Sequence, residues 1–258
     1  MHRFTRFASL AGLALIALLP LATAAAAQEA SPPFTYVAEW TIARDQWQGY
    51  TEWGAKNHKP ILERLAADGT LLDWGFYETY VHELEGNTHG MWWSAASLAN
   101  IEKTRAALLK APFHPAAAAG AHRDWLLRPM AGGSKPGATA GGFLYVNMQE
   151  IRAGQGEAWE KFFEKYSKPV LEELVAKGVL AGWAVHYEDV HTAPNSMRFV
   201  VTVSNSPEAE DQADAAFGAA RAKLSDAERS EYMRLARELT VPESHRDYLA
   251  RISAAWYK

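Results

Sequence analysis

The sequence predicts an α+β chain built from two tandem β-α-β-β-α-β units that pack sheet to sheet. Three observations carry this: an internal duplication, the same order of strand and helix patterns in each copy, and a proline at one shared helical position. The duplication is plainest between residues 59–82 (KPILERLAADGTLLDWGFYETYVH) and 168–191 (KPVLEELVAKGVLAGWAVHYEDVH). Lys-Pro, Leu62/Leu171, Glu63/Glu172, Leu65/Leu174, Gly69/Gly178, Leu71/Leu180, Trp74/Trp183, Val81/Val190 and His82/His191 recur at a constant offset of 109. That offset holds without a gap from Tyr36/Tyr145 to Ser97/Ser206.

Residues 34–43 (FTYVAEWTIA) alternate as a strand does. Residues 46–67 then place Tyr50, Trp53, Asn57, Ile61, Leu62 and Leu65 on one helical face, and Trp159, Phe162, Phe163, Tyr166, Val170, Leu171 and Leu174 repeat that stripe. Pro60 and Pro169 fall inside these patterns. Each removes a hydrogen-bond donor and disfavours helical dihedrals in its predecessor, so both helices are predicted to break there. Gly69 and Gly178 suit the left-handed position that ends a helix.

Residues 71–82 and 180–191 read as strands, followed by strands around 88–96 and 197–204. Gly86-Asn87 and Pro194-Asn195-Ser196 supply the turns that make each pair a hairpin. Alanine-rich helices follow at 97–110 and 207–223, and the second half adds a helix at 226–239 with Ser225 as its N-cap. Each half then reaches one phrase, His122-Arg123-Asp124-Trp125-Leu126 or His245-Arg246-Asp247-Tyr248-Leu249. The histidines and aspartates of these phrases are expected to cap the preceding segment, and the arginines to reach a carboxylate. The resulting division is a first unit at 28–130, a flexible glycine-rich linker at 131–142 and a second unit at 143–258.

Residues 1–27 read as a signal peptide. His2, Arg3 and Arg6 precede an apolar run at 10–21, and Ala25–Ala27 offers a small-residue cleavage site. Export to the periplasm or medium is the expectation, with no membrane span after cleavage. The chain has no cysteine, which excludes thiol nucleophiles, iron–sulfur clusters and cysteine-held zinc. Without the leader's two arginines, 24 basic residues face 30 acidic ones, and no basic stripe offers nucleic acid a surface. No close histidine pair, P-loop, dinucleotide fingerprint or Gly-x-Ser-x-Gly is present, so neither a metal site nor a nucleotide cofactor is predicted.

The order strand, helix, strand, strand, helix, strand is the split βαβ, or ferredoxin-like, unit, whose sheet leaves one face bare. Two copies can cover each other. In this topology and repeat the chain resembles the dimeric α+β barrel superfamily, as a tandem two-unit member. The resemblance implies a single-chain α+β barrel with an interior able to take a ligand, and it brings no functional residue with it. A haem enzyme like the chlorite dismutase and dye-decolourising peroxidase branches is the alternative that the resemblance raises, with His186 and His191 as its candidate ligands. A non-catalytic interaction module is another.

Ten tryptophans suggest an aromatic-lined cavity for a small hydrophobic or aromatic molecule. Because a site breaks symmetry, residues that differ between copies are candidates: Tyr77/His186, Glu78/Tyr187, His89/Arg198, Trp40/Gln149, His58/Ser167 and Ala38/Asn147. His186, Arg198 and Tyr77, with the repeated His82 and His191, are the candidate catalytic groups. Trp40, His89, Trp92, Asn147, Gln149 and Tyr187 are the candidate ligand contacts. The leading expectation is ligand binding, with proton transfer or oxygenation that needs no nucleotide cofactor. Homo-oligomers are compatible with it.

Overall fold

A computed structural model describes residues 32–81, 86–191 and 196–258. The predicted signal peptide, His82 and most of the turn at 194–196 lie outside these residues. The first half runs β1 (Phe34–Trp40), α1 (Trp47–Asn57), α2 (Lys59–Ala67), β2 (Asp73–Thr79), β3 (His89–Ala95), α3 (Leu98–Leu108), a short α4 (Pro115–Ala119) and β4 (His122–Ser134). After β5 (Gly137–Thr139) the second half repeats it: β6 (Phe143–Glu150), α5 (Gly156–Tyr166), α6 (Lys168–Lys177), β7 (Leu180–Glu188), β8 (Met197–Ser204), α7 (Pro207–Ala222), α8 (Asp226–Leu239) and β9 (Arg246–Tyr257).

The helices break where the prolines require. His58 and Ser167 sit between α1 and α2 and between α5 and α6, and each proline is in the first turn of the second helix, where its missing N–H costs nothing. Gly69 and Gly178 both adopt positive φ, 78° and 77°. The extra helix α8 begins with a capping box between Ser225 and Glu228.

Neither half keeps its sheet to itself. The strand order β2-β3-β1-β4-β7-β8-β6-β9, with β9 pairing back to β2, closes an eight-stranded antiparallel barrel. Both seams join opposite halves: β4 reaches across to β7 and β9 to β2. The expected flexible linker is largely strand. β4 continues to Ser134 so that Gly133 faces Trp183, and Gly137–Thr139 pairs with β9. A glycine-rich run can serve here because a Cβ at Gly132 would come within 3.0 Å of the Trp183 carbonyl oxygen.

Each strand therefore has two covered faces. One packs on helices, through a cluster of Leu62, Leu65, Leu71, Trp74 and Ile101 in the first half and of Trp159, Phe163, Leu171, Leu174 and Trp183 in the second. The other faces the barrel interior, with Tyr77, Trp92, Trp125, Leu144, Val146 and Phe199. The repeated phrases open β4 and β9 rather than capping a helix. Their histidines pair with the aspartate two residues on, at 3.1 Å in His122–Asp124 and 3.2 Å in His245–Asp247. Neither arginine behaves as expected: Arg123 lies over the Trp125 ring, and Arg246 donates to the carbonyls of Glu243 and His245.

Candidate functional site

The barrel encloses a cavity of about 590 Å³, a volume suited to a small organic molecule. Inward positions of β1, β2 and β3 supply Thr35, Glu39, Asp73, Tyr77, Trp92 and Ser94. Their counterparts 109 residues later are Leu144, Met148, Gly182, His186, Val201 and Val203, which line the same cavity. The first set makes a mainly polar wall, edged by Val37, Leu72 and Leu127, and the second a mainly apolar one in which His186 is the exception.

Two glycines shape the polar wall. Trp92 lies across Gly75 and Tyr77 across Gly90 in the β2–β3 ladder. A Cβ at Gly75 would meet the Trp92 ring at 2.1 Å, and one at Gly90 would meet the Tyr77 ring at 2.1 Å. Only glycine lets both rings lie flat on the neighbouring strand.

The Tyr77 hydroxyl donates to Glu39 Oε1 at 2.8 Å, while Asn87 Nδ2 and Trp125 Nε1 donate to Oε2 at 2.7 and 3.0 Å. A buried carboxylate held by three donors is satisfied without a cation. Burial, and then the charge of Glu39, push the Tyr77 phenol well above its usual range, so it stays a donor.

A second carboxylate sits in a different state. Trp92 Nε1 and Ser94 Oγ both donate to Asp73 Oδ1, at 2.9 and 2.8 Å, and Oδ2 is left to the cavity. Burial raises Asp73 from 3.8 to about 6 against the lowering effect of those two donors. The chain of polar atoms continues from Ser94 Oγ to Thr35 Oγ1 at 2.8 Å and from Thr35 Oγ1 to His186 Nε2 at 3.3 Å. Its direction follows from Asp73. An ionised carboxylate can only accept, so Ser94 donates to it, Thr35 donates to Ser94, and His186 donates Nε2–H to Thr35. Nδ1, which has no partner, then carries the lone pair. Burial lowers His186 to about 4, so the ring is neutral near pH 7.

Of the candidates read from the sequence, His186, Tyr77 and Trp92 line this cavity and the other described ones do not, while His82 lies outside the described residues. Arg198 lies on the outer face of β8, half-buried, 5.9 Å from the Tyr187 ring. Asn147 also faces away from the cavity and donates to Asp247 Oδ1 at 2.8 Å; Gln149 shares its side of β6. His191 is exposed in the loop beyond β7, which ends at Glu188. Trp40 and His89 turn outward to a smaller pocket of about 120 Å³ under α1. The sequence reading missed Glu39, Asp73, Thr35, Ser94 and Trp125. The signal was available for four of these: Glu39/Met148, Asp73/Gly182, Thr35/Leu144 and Ser94/Val203 each replace a polar group by an apolar one or by glycine.

The interior does not fit haem. His186 is the one cavity-lining histidine among the described residues; its Nε2 is engaged by Thr35 and its Nδ1 has no accessible surface. Among the described residues no group of three or more metal-binding side chains comes together, and no helix is long and apolar enough to cross a membrane.

No protein-family model matches the chain, and no curated protein sequence matches it either. Solved structures do. A candidate monooxygenase from Lactobacillus acidophilus superposes with a TM-score of 0.61 over 88% of this chain and 96% of its own, at 12% identity. A candidate monooxygenase from Fusobacterium nucleatum gives 0.60 over 88% and 95%, at 7% identity. The fold is the ferredoxin-like α+β barrel. At such identities the likeness extends to architecture alone. A mutant chlorite dismutase from Candidatus Nitrospira defluvii superposes at 0.45 over 86% of this chain and 91% of its own, at 10% identity, too loosely to carry an argument.

Proposed function

We propose that the barrel binds a small aromatic or hydrophobic molecule with a polar edge, and removes a proton from it without a nucleotide cofactor. The observation that carries this reading is the division of the cavity: Asp73, Glu39, Tyr77, Thr35 and Ser94 on one wall, Leu144, Met148, Val201 and Val203 on the other. A flat ligand lies with its apolar face on the second wall and its hydroxyl or carbonyl toward the first.

Asp73 is the base. Its open Oδ2 and its value of about 6 place it where a carboxylate is ionised near neutral pH and still takes a proton. Tyr77, Trp92 and Trp125 give their single O–H or N–H protons to Glu39 and Asp73, and so hold both carboxylates in place against the ligand. The electron-rich carbanion or phenolate that results is what molecular oxygen attacks when a CH₂ group becomes a carbonyl and the second oxygen atom leaves as water. The fold neighbours described as candidate monooxygenases are consistent with that outcome. We also assign the leader to export, which the amino-terminal residue of the mature protein will test.

The test is native mass spectrometry of the purified chain, together with titration by 1-naphthol followed through tryptophan fluorescence. A retained small molecule, or saturable quenching that Tyr77→Phe and Thr35→Val weaken, is the expected result. Protein that carries no ligand and shows no saturable quenching overturns the reading. A Soret band after adding haemin would overturn it in favour of the haem alternative.

A further inference from the structure

On the polar wall, Tyr77, Asn87 and Trp125 commit their protons to Glu39, and Trp92 and Ser94 commit theirs to Asp73. Tyr248, on the inner face of β9, is hydrogen-bonded to the Tyr77–Glu39 pair. Tyr257, at the end of the same strand, is differently placed. It lines the cavity and stands directly across the β2–β9 seam from Asp73. Ala255 and Tyr257 pack with the inner cluster and Ala254 and Trp256 with the outer one, so the Tyr257 ring points into the barrel. Its hydroxyl makes no hydrogen bond among the described residues, yet it is not one of the fully enclosed polar atoms, so it keeps surface open to the cavity it borders. Burial, and then the negative charge of Asp73, push this phenol well above its usual range, so it keeps its proton.

The duplication sets this pair apart. Counted from the repeated phrase, Tyr257 corresponds to Ser134, and Asp73 corresponds to Gly182. Ser134 and Gly182 also pair, across the other seam, and both line the cavity. The two seams stand four strands apart in the ring of eight, so the acid and the phenol face serine and glycine across the barrel. One seam carries two reactive groups side by side, and its twin leaves room for what they act on. The glycine-rich linker fixes the arrangement: Gly137, Ala138 and Thr139 pair with Tyr257, Trp256 and Ala255, so the end of β9 is held between two strands.

We infer that Tyr257 holds the ligand's oxygen, donating its O–H to it while Asp73 Oδ2 takes the ligand's proton. The inference rests on the reading of Asp73 as the base. Because both groups enter the cavity from one cross-strand pair, the oxygen and the acidic hydrogen belong to one edge of the ligand. A phenol meets this demand, and so does a carbonyl with hydrogen on the adjoining carbon; a hydrocarbon does not. In the step, the ligand's O–H or C–H bond breaks and its proton passes to the Asp73 carboxylate. The electron pair left behind settles on the oxygen that Tyr257 already bonds. Tyr257 keeps its own proton throughout, as its suppressed acidity requires.

Tyr257→Phe removes the hydroxyl and keeps the ring. In the full chain, wild type and variant are titrated with 1-naphthol by tryptophan quenching, and with naphthalene, which has the rings without the oxygen, by displacement of 1-naphthol. Wild type should prefer 1-naphthol. The variant should lose about three- to tenfold of its affinity for 1-naphthol, the worth of one hydrogen bond, and bind naphthalene as wild type does. That unchanged naphthalene affinity also shows that the variant folds. A variant that keeps the full preference for 1-naphthol overturns the role of Tyr257 and leaves the barrel's ligand reading standing. Equal loss of both ligands makes Tyr257 a packing residue and overturns it too. Wild type that binds neither compound overturns both readings.

Discussion

Replacing the base should make the protein more stable, by an amount the structure supplies. Asp73 is displaced from 3.8 to about 6 by burial. The fold thus prefers the protonated acid, and that stabilisation is complete below 3.8 and lost as pH rises through about 6. With a tenfold change in acid strength worth 1.36 kcal/mol, the ionised form costs the folded state about 3 kcal/mol at pH 7. Asp73→Asn cannot ionise, and its amide oxygen can still accept from Trp92 and Ser94. Urea unfolding from pH 4 to pH 8 is the assay. The two proteins should match near pH 4, and the variant should gain about 2–3 kcal/mol by pH 7, roughly 1 M in midpoint. His58, His89 and His186, all lowered to about 4, add an acid sensitivity between pH 6.5 and 4 that both proteins share, so it cancels in the difference. Curves that stay parallel across pH, or a variant weaker at pH 7, would refute the assignment of a raised, buried carboxylate. The same substitution should abolish proton transfer, whose rate in the wild type should rise through about pH 6.

Gly90→Ala should displace Tyr77 from Glu39 and cost about 3–5 kcal/mol in chemical denaturation, from overpacking and a lost hydrogen bond to a charged group. Gly218→Ala, in α7 with nothing within 4 Å, should instead stabilise by about 0.5–1 kcal/mol in the same measurement. Ser225→Ala removes the capping box of α8 and should cost about 1 kcal/mol, read as a lower melting temperature. His191→Ala, in the exposed loop after β7, should leave 1-naphthol quenching unchanged.

The architecture was legible because its markers are local. Lys-Pro after an amphipathic run and glycine nine residues beyond the proline specify a broken helix and its end in each copy, and the duplication counts the units. Barrel closure leaves no such mark, since nothing in β4 or β9 distinguishes a strand that pairs within its own half from one that crosses. The site was only half legible for a related reason. Trp74, Phe76 and Glu78 alternate cleanly with Asp73, Gly75 and Tyr77, but a barrel strand is covered on both sides, and alternation cannot say which side is the lumen. Asn147 and Gln149, candidate ligand contacts on the strength of that alternation, fall on the outer side, while Glu39, a lone carboxylate in an apolar strand, is the better pointer.

A barrel assembled from two identical chains would receive every inward carboxylate twice, related by its axis and repelling its own image. Fusion removes that bookkeeping: Glu39 can be acidic because position 148 is free to be methionine. A protein of this kind can tune one wall to the reacting edge of a ligand and leave the other to hold its greasy side, a lopsidedness that no self-pairing ancestor could hold.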